Sequence, residues 1–107
     1  MKAYAIGHLW NHRNREEIAE YVSRIDGTLV PYGGRFLVHG APVTVREGEW
    51  PGRVVVLEFP DRASANAWYD SPAYREILPL RTANVDGNVI IVSGVSDGHR
   101  ATDILTA

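Results

Sequence analysis

A glutamate set in an aliphatic run is the position most suggestive of chemistry in this chain. In "RVVVLEF", Arg53 to Phe59, Glu58 needs an ion-pair or hydrogen-bond partner, or its pKa must rise. A second stretch, "YGGRFLVHG" from Tyr32 to Gly40, carries Arg35 and His39 four positions apart. On one regular strand face these two side chains point the same way. An imidazole beside a guanidinium can move a proton while the cation holds an anionic group. Glu58 in a hairpin with that strand would neighbour Leu37, diagonal to Arg35 and His39, and His8 would approach from its other side if the first strand pairs in parallel with it. The competing structural readings are a Glu58–Arg35 ion pair and a half-buried His39 bonded to backbone or water. Both stay open at this point.

Other candidates surround these. His8, His39 and Glu58 form a donor set that zinc or non-haem iron accepts, yet their spacing has no metal signature, so no metal or cofactor is expected. Trp50, Tyr69 and Tyr74 are candidates to line an aromatic-binding pocket, whereas Trp68 suits helix–sheet packing. Arg81 either binds an anionic substrate group or pairs with an acid at the domain edge.

The elements that must position these residues alternate. Lys2 to Trp10 is a first strand, rich in aromatic and β-branched residues. Asn14 with Glu17 three residues on forms a capping box, and Ile18, Tyr21, Val22, Ile25 and Leu29 make one helical stripe. That helix should stop between Gly27 and Pro31, and Gly33-Gly34 lets the chain reverse. Arg35 to Gly40 is the second strand. "APVTVREGEWPG" then connects a hairpin, with strand character at Val43 to Val45, and Arg53 to Phe59 is the third strand. Asp61 caps a second helix with the stripe Ala65, Trp68 and Tyr69, which Ser71-Pro72 breaks ahead of a short turn. Asn88 to Val95 is the fourth strand, entered through an Asp86-Gly87 turn. Residues 96–107 read as a polar tail with an apolar patch at Ile104-Leu105, behind a single domain over 1–95.

The order β-α-β-β-α-β predicts two split βαβ units with both helices on one face of a four-stranded antiparallel sheet. Ala3, Ala5, Gly7, Leu9, Phe36, Val38, Val55, Leu57, Phe59, Ile90 and Val92 share one parity and form the helix-covered face. Tyr4, Ile6, His8, Trp10, Arg35, Leu37, His39, Val54, Val56, Glu58, Val89, Ile91 and Ser93 form the other. That second face is too apolar for bare solvent and too polar for a dry core. Two copies meeting across a two-fold axis would bury its aliphatics and enclose its polar groups in a cavity.

Composition narrows the classes. With 107 residues, 45% hydrophobic and 22% charged, the chain suits one globular domain. A net charge of -2 gives no electrostatic reason for nucleic acid or an anionic membrane. No cysteine is present, so thiolate catalysis and disulfides are excluded and a reducing cytoplasm is expected. No apolar run approaches the roughly 20 residues that span a bilayer. Dinucleotide, phosphate-loop, nucleophile-elbow and zincin motifs are all missing.

Four stretches, "YGGRFLVHG", "EGEWPGRVVVLEFP", "AWYDSPAYREILPLR" and "VSG", together resemble the family of domain of unknown function 1330, from about Tyr4 to Gly94. The resemblance implies a dimeric α/β barrel of ferredoxin-like protomers. By analogy of fold it points to cofactor-independent chemistry of cyclase, isomerase or monooxygenase type. The chain departs from the family at His39-Gly40-Ala41, where Arg-Gly-Gly is usual, and in a longer "LWNHRNREE" link.

The expectation is therefore a homodimer that acts on an aromatic or carbonyl-containing metabolite without a cofactor, in a cavity at the sheet interface. His39 or Glu58 would be catalytic, and His8, Arg35, Trp50, Tyr69, Tyr74 and Arg81 would bind substrate. A homodimer that binds a small ligand or a subunit partner without chemistry is the alternative.

Overall fold

The computed structural model describes residues 1–106; Ala107, the last residue of the expected tail, lies outside them. The chain runs β1 (Ala3–Trp10), α1 (Arg15–Leu29), β2 (Arg35–His39), β3 (Arg53–Phe59), α2 (Arg62–Asp70), α3 (Pro72–Thr82) and β4 (Asp86–Ser93), with short 3-10 segments at Val30–Tyr32 and Ala101–Thr106. The strands form one four-stranded sheet in the order β2-β3-β1-β4, antiparallel throughout. This is the expected α+β, ferredoxin-like βαββαβ arrangement.

Local chemistry sets the helix starts. The Asn14 side chain accepts from the Glu17 amide at 3.2 Å, while the Glu17 carboxylate accepts from Asn84 Nδ2 at 2.7 Å instead of closing the box. Asp61 Oδ1 accepts from the Ser64 amide at 2.7 Å, and that bond holds its carboxyl below the usual range. Ser71 ends α2 and caps α3, with Pro72 in the first turn where a missing N–H is harmless. The short turn expected at Pro72 is thus an eleven-residue helix.

The Gly33-Gly34 pair has two separate reasons. Gly33 sits at φ 68° and closes the 3-10 segment by donating to Val30 O at 3.2 Å. A Cβ on Gly34 would lie 2.6 Å from Phe59 Cε1 and 2.8 Å from Leu29 Cδ2, so only a hydrogen fits.

The register corrects the sequence reading in several places. Arg35 pairs with Glu58 and Phe36 with Leu57, but Val38 pairs with Val56, which leaves Leu37 as an extra residue in β2. Past that bulge the parity inverts. Val38 therefore joins Arg35 on the open face, and His39 turns to the helix-covered face with Phe36. On β4, Ala5 faces Ile91 and Gly7 faces Val89, so Val89 and Ile91 lie on the helix side and Ile90 and Val92 on the open side, the reverse of the expectation. Asp86 and Gly87 belong to the strand itself, paired with Trp10 and Leu9. No strand forms at Val43–Val45, which lie in the connection between β2 and β3 outside the four-stranded sheet.

Between sheet and helices lies the core. Ala3, Ala5, Leu57 and Phe59 meet Ile25, Leu29, Ala65, Trp68, Tyr74, Ile77 and Leu78, all buried. Small residues on β1 let the helices approach. Trp68 keeps its polar end satisfied by donating Nε1–H to Thr28 Oγ1 at 3.0 Å, and that hydroxyl donates onward to Ile25 O at 2.6 Å.

Candidate functional site

The helix layer does not close completely over the sheet. Where β1 narrows to Ala5 and Gly7, a cavity of about 220 Å³ opens beneath α1 and α3. Its walls are mostly apolar, among them Ile25, Phe36, Leu57 and Trp68. His12, His39 and Arg53 contribute the exposed polar part of the lining. Arg53 is anchored there by donating Nη1–H to Gly40 O at 2.7 Å, and His39 by stacking on Phe36 with ring centroids 4.2 Å apart.

One polar cluster is buried in the cavity wall. Tyr21 Oη and Tyr74 Oη are 2.7 Å apart, and the Arg81 guanidinium carbon lies 6.0 Å from the Tyr21 ring centroid. Tyr74 and Arg81 are only 2% and 8% exposed. Burial, reinforced by Tyr74, pushes the Tyr21 phenol well above its usual range, and the weaker opposing pull of Arg81 does not restore it. Burial works against the charge on Arg81, but the oxygens of Tyr74 and Tyr21 more than offset this and keep it cationic. Among the described residues no carboxylate pairs with Arg81.

The open sheet face holds a different cluster. Glu58 Oε1 accepts from Arg35 Nε at 3.0 Å and Nη2 at 2.9 Å, and from Lys2 Nζ at 3.3 Å. The Arg35 hydrogen bond, outweighing burial and helped by Lys2, holds the carboxyl below the usual carboxylate range. Tyr4, not His8, lies opposite Glu58 on β1, because the two strands run antiparallel; His8 lies opposite Val54. His8 Nε2 donates to Pro51 O at 2.6 Å, and its ring stacks on Trp50 at 4.0 Å.

The sequence candidates thus separate. His39, Tyr74 and Arg81 line the cavity, whereas His8, Arg35, Trp50 and Glu58 belong to the other side of the sheet. Tyr69 does neither: it packs edge-on to Trp68 and under Arg75 in the helix layer. The trio His8, His39 and Glu58 is split between two faces, and among the described residues no cluster of three metal-ligating side chains forms. Sequence reasoning missed Tyr21, His12 and Arg53. Tyr21 carried a signal, since a tyrosine inside an apolar helical stripe needs a partner for its hydroxyl.

Fold and site define a ferredoxin-like α+β protomer with an apolar cavity between sheet and helices. The chain belongs to the family described as domain of unknown function DUF1330, whose model matches residues 2–95. No functionally curated protein matches it. Among solved structures it is similar to RPA0582 of Rhodopseudomonas palustris, a protein of unknown function, at 19% identity and TM-score 0.69 over 89% of this chain and 83% of that one. A dimeric ferredoxin-like protein of unknown function from Jannaschia is similar at 15% identity and TM-score 0.67, covering 88% of this chain and 100% of the other. SnoaB of Streptomyces nogalater, a cofactor-independent oxygenase, is similar at 11% identity and TM-score 0.61 over 92% and 98%. Likeness at these identities is a likeness of fold. No helix among the described residues is long and apolar enough to cross a membrane.

Proposed function

We propose that the chain is a homodimeric small-molecule enzyme that needs no cofactor. Each protomer holds an aromatic or carbonyl-containing metabolite in its own cavity. The observation that carries this reading is the cavity itself: a small, half-open space with apolar walls and an imidazole, His39, in its lining. This moves the site from the sheet interface to the space between sheet and helices. In that space His39 is positioned to move a proton to or from the ligand. Glu58 is not, since Arg35 and Lys2 already occupy its carboxylate on the other side of the sheet.

Dimerisation follows from the face the helices leave bare. Ile6, Val38, Val54, Val56, Ile90 and Val92 share it, and Ile90 remains 55% exposed in the single chain. A patch of that kind is an interface more often than a solvated surface. The Jannaschia protein, described as dimeric, supports dimerisation of this fold.

One observation favours a second reading, a dimer that binds a ligand without transforming it. The only carboxylate among the sequence-predicted catalytic candidates is held through Oε1 by Arg35 and Lys2 outside the cavity.

A panel of aromatic and carbonyl compounds, read by thermal shift and by mass change after incubation, tests both. Stabilising compounds should lose their effect on Gly7→Leu, which fills the cavity floor. A new product supports the enzyme, and stabilisation without product supports the binder. Stabilisation that survives Gly7→Leu would show that the ligand lies elsewhere.

A further inference from the structure

A buried guanidinium without a carboxylate is unusual, because burying a charge is costly unless something pairs with it. Arg81 is in that position, at 8% exposure, in the wall of the cavity and beside two phenols. The phenols do not supply a counter-charge. Two hydroxyls bonded to each other at 2.7 Å commit one O–H to their mutual bond and leave the second free to donate. The two phenol oxygens accept from Arg81, but they cannot take all five of its N–H groups, so the cluster still offers guanidinium N–H groups and one O–H with no carboxylate paired to them among the described residues. The rest of the wall contributes the part-exposed ring of Phe36 beside aliphatic side chains such as Ile18 and Val22, with Trp68 buried behind, and the volume suits a small ring system better than a long chain.

We propose that the cavity is built for a planar aromatic carboxylate, its anionic end on Arg81 and one tyrosine hydroxyl and its ring against the apolar walls. A guanidinium fork matches the two oxygens of a carboxylate, which is why this anion is preferred over a single-oxygen one. The inference rests on the cavity being the ligand site and adds the class of ligand and its orientation.

The test compares 2-naphthoate with its neutral isostere 2-naphthamide by isothermal titration calorimetry at neutral pH. On the wild-type chain the carboxylate should bind at least about tenfold more tightly. Arg81→Gln should erase that preference, lowering the affinity for naphthoate by at least about tenfold more than that for naphthamide. Arg81→Lys should keep part of it, since the charge remains and the fork is lost. Tyr21→Phe should narrow the ratio without abolishing naphthamide binding. Should Arg81→Gln fail to fold by circular dichroism, the wild-type ratio and Tyr21→Phe still decide. Equal affinities on the wild type would overturn the anion site and leave a neutral-ligand cavity standing. A preference that survives in Arg81→Gln would remove Arg81 from it. Binding of neither probe would overturn the anion site and the cavity reading together.

Discussion

Phe36 and His39 stack with ring centroids 4.2 Å apart although three positions separate them on one strand. In a regular strand they would project to opposite faces. The extra residue at Leu37 brings them together, and it decides which side of the sheet the imidazole serves. Ligand in the cavity should therefore shift the His39 ring resonances, whereas those of His8 should stay in place. Long-range ¹⁵N NMR of both imidazoles during a 2-naphthoate titration checks this. Movement of His8 with a silent His39 would put the ligand on the open face.

Val56 lies between Ile6 and Val38 on the bare side of the sheet. Val56→Asp puts an unpaired carboxylate into the face that we assign to the second copy, and should weaken association by roughly a hundredfold or more. Light scattering over a concentration series reads the outcome. A wild-type chain that stays monomeric at micromolar concentration would end the dimer proposal.

The Glu58 carboxyl is held below its usual range chiefly by Arg35. A depressed folded-state pKa stabilises the fold above the unfolded-state value, ~4.3 for glutamate, and that stability is lost as pH falls through the folded value. Glu58→Gln should thus be the less stable protein near neutrality, and its urea midpoint should converge with that of wild type in acid. Midpoints measured from pH 7 down to about pH 3 make the comparison. Parallel curves over the whole range would show that the Arg35–Glu58 pair has no net effect on stability.

Gly34 is a packing glycine. Gly34→Ala drives a methyl toward Phe59 and Leu29, both nearly fully buried, and should cost about 1–3 kcal/mol. Chemical denaturation measures it, and a change below about 0.5 kcal/mol would mean that the Phe59 ring yields freely.

How much of this was legible depended on contrast between neighbouring side chains. On β1 the alternation of Ala3, Ala5 and Gly7 with Tyr4, Ile6 and His8 is a contrast of size, and its parity reads directly from the chain. On β4, "NVIIV" is apolar on both faces, so nothing in it distinguishes Val89 and Ile91 from Ile90 and Val92; only the pairing with β1 does. The β2 bulge was hidden for the same reason, since Leu37 is apolar and suits either side. Placing His8 beside Glu58 failed because the relation depends on strand direction: α1 returns β2 parallel to β1, and β3 then reverses against both. Tyr21 was read as a member of a stripe, and its hydroxyl was left without a role.

The size contrast along β1 has a consequence for how such a protein can diversify. Ala5, Gly7 and Leu9 form the floor of the cavity, and the even-numbered residues form the bare face opposite. One eight-residue strand thus carries two independently adjustable surfaces, interleaved at single-residue spacing. Enlarging Gly7 or trimming Leu9 would resize the ligand space and leave Ile6 and His8 as they are. On the proposed reading, ligand choice and subunit pairing can then drift separately in one lineage, and two proteins that assemble alike need not share a ligand.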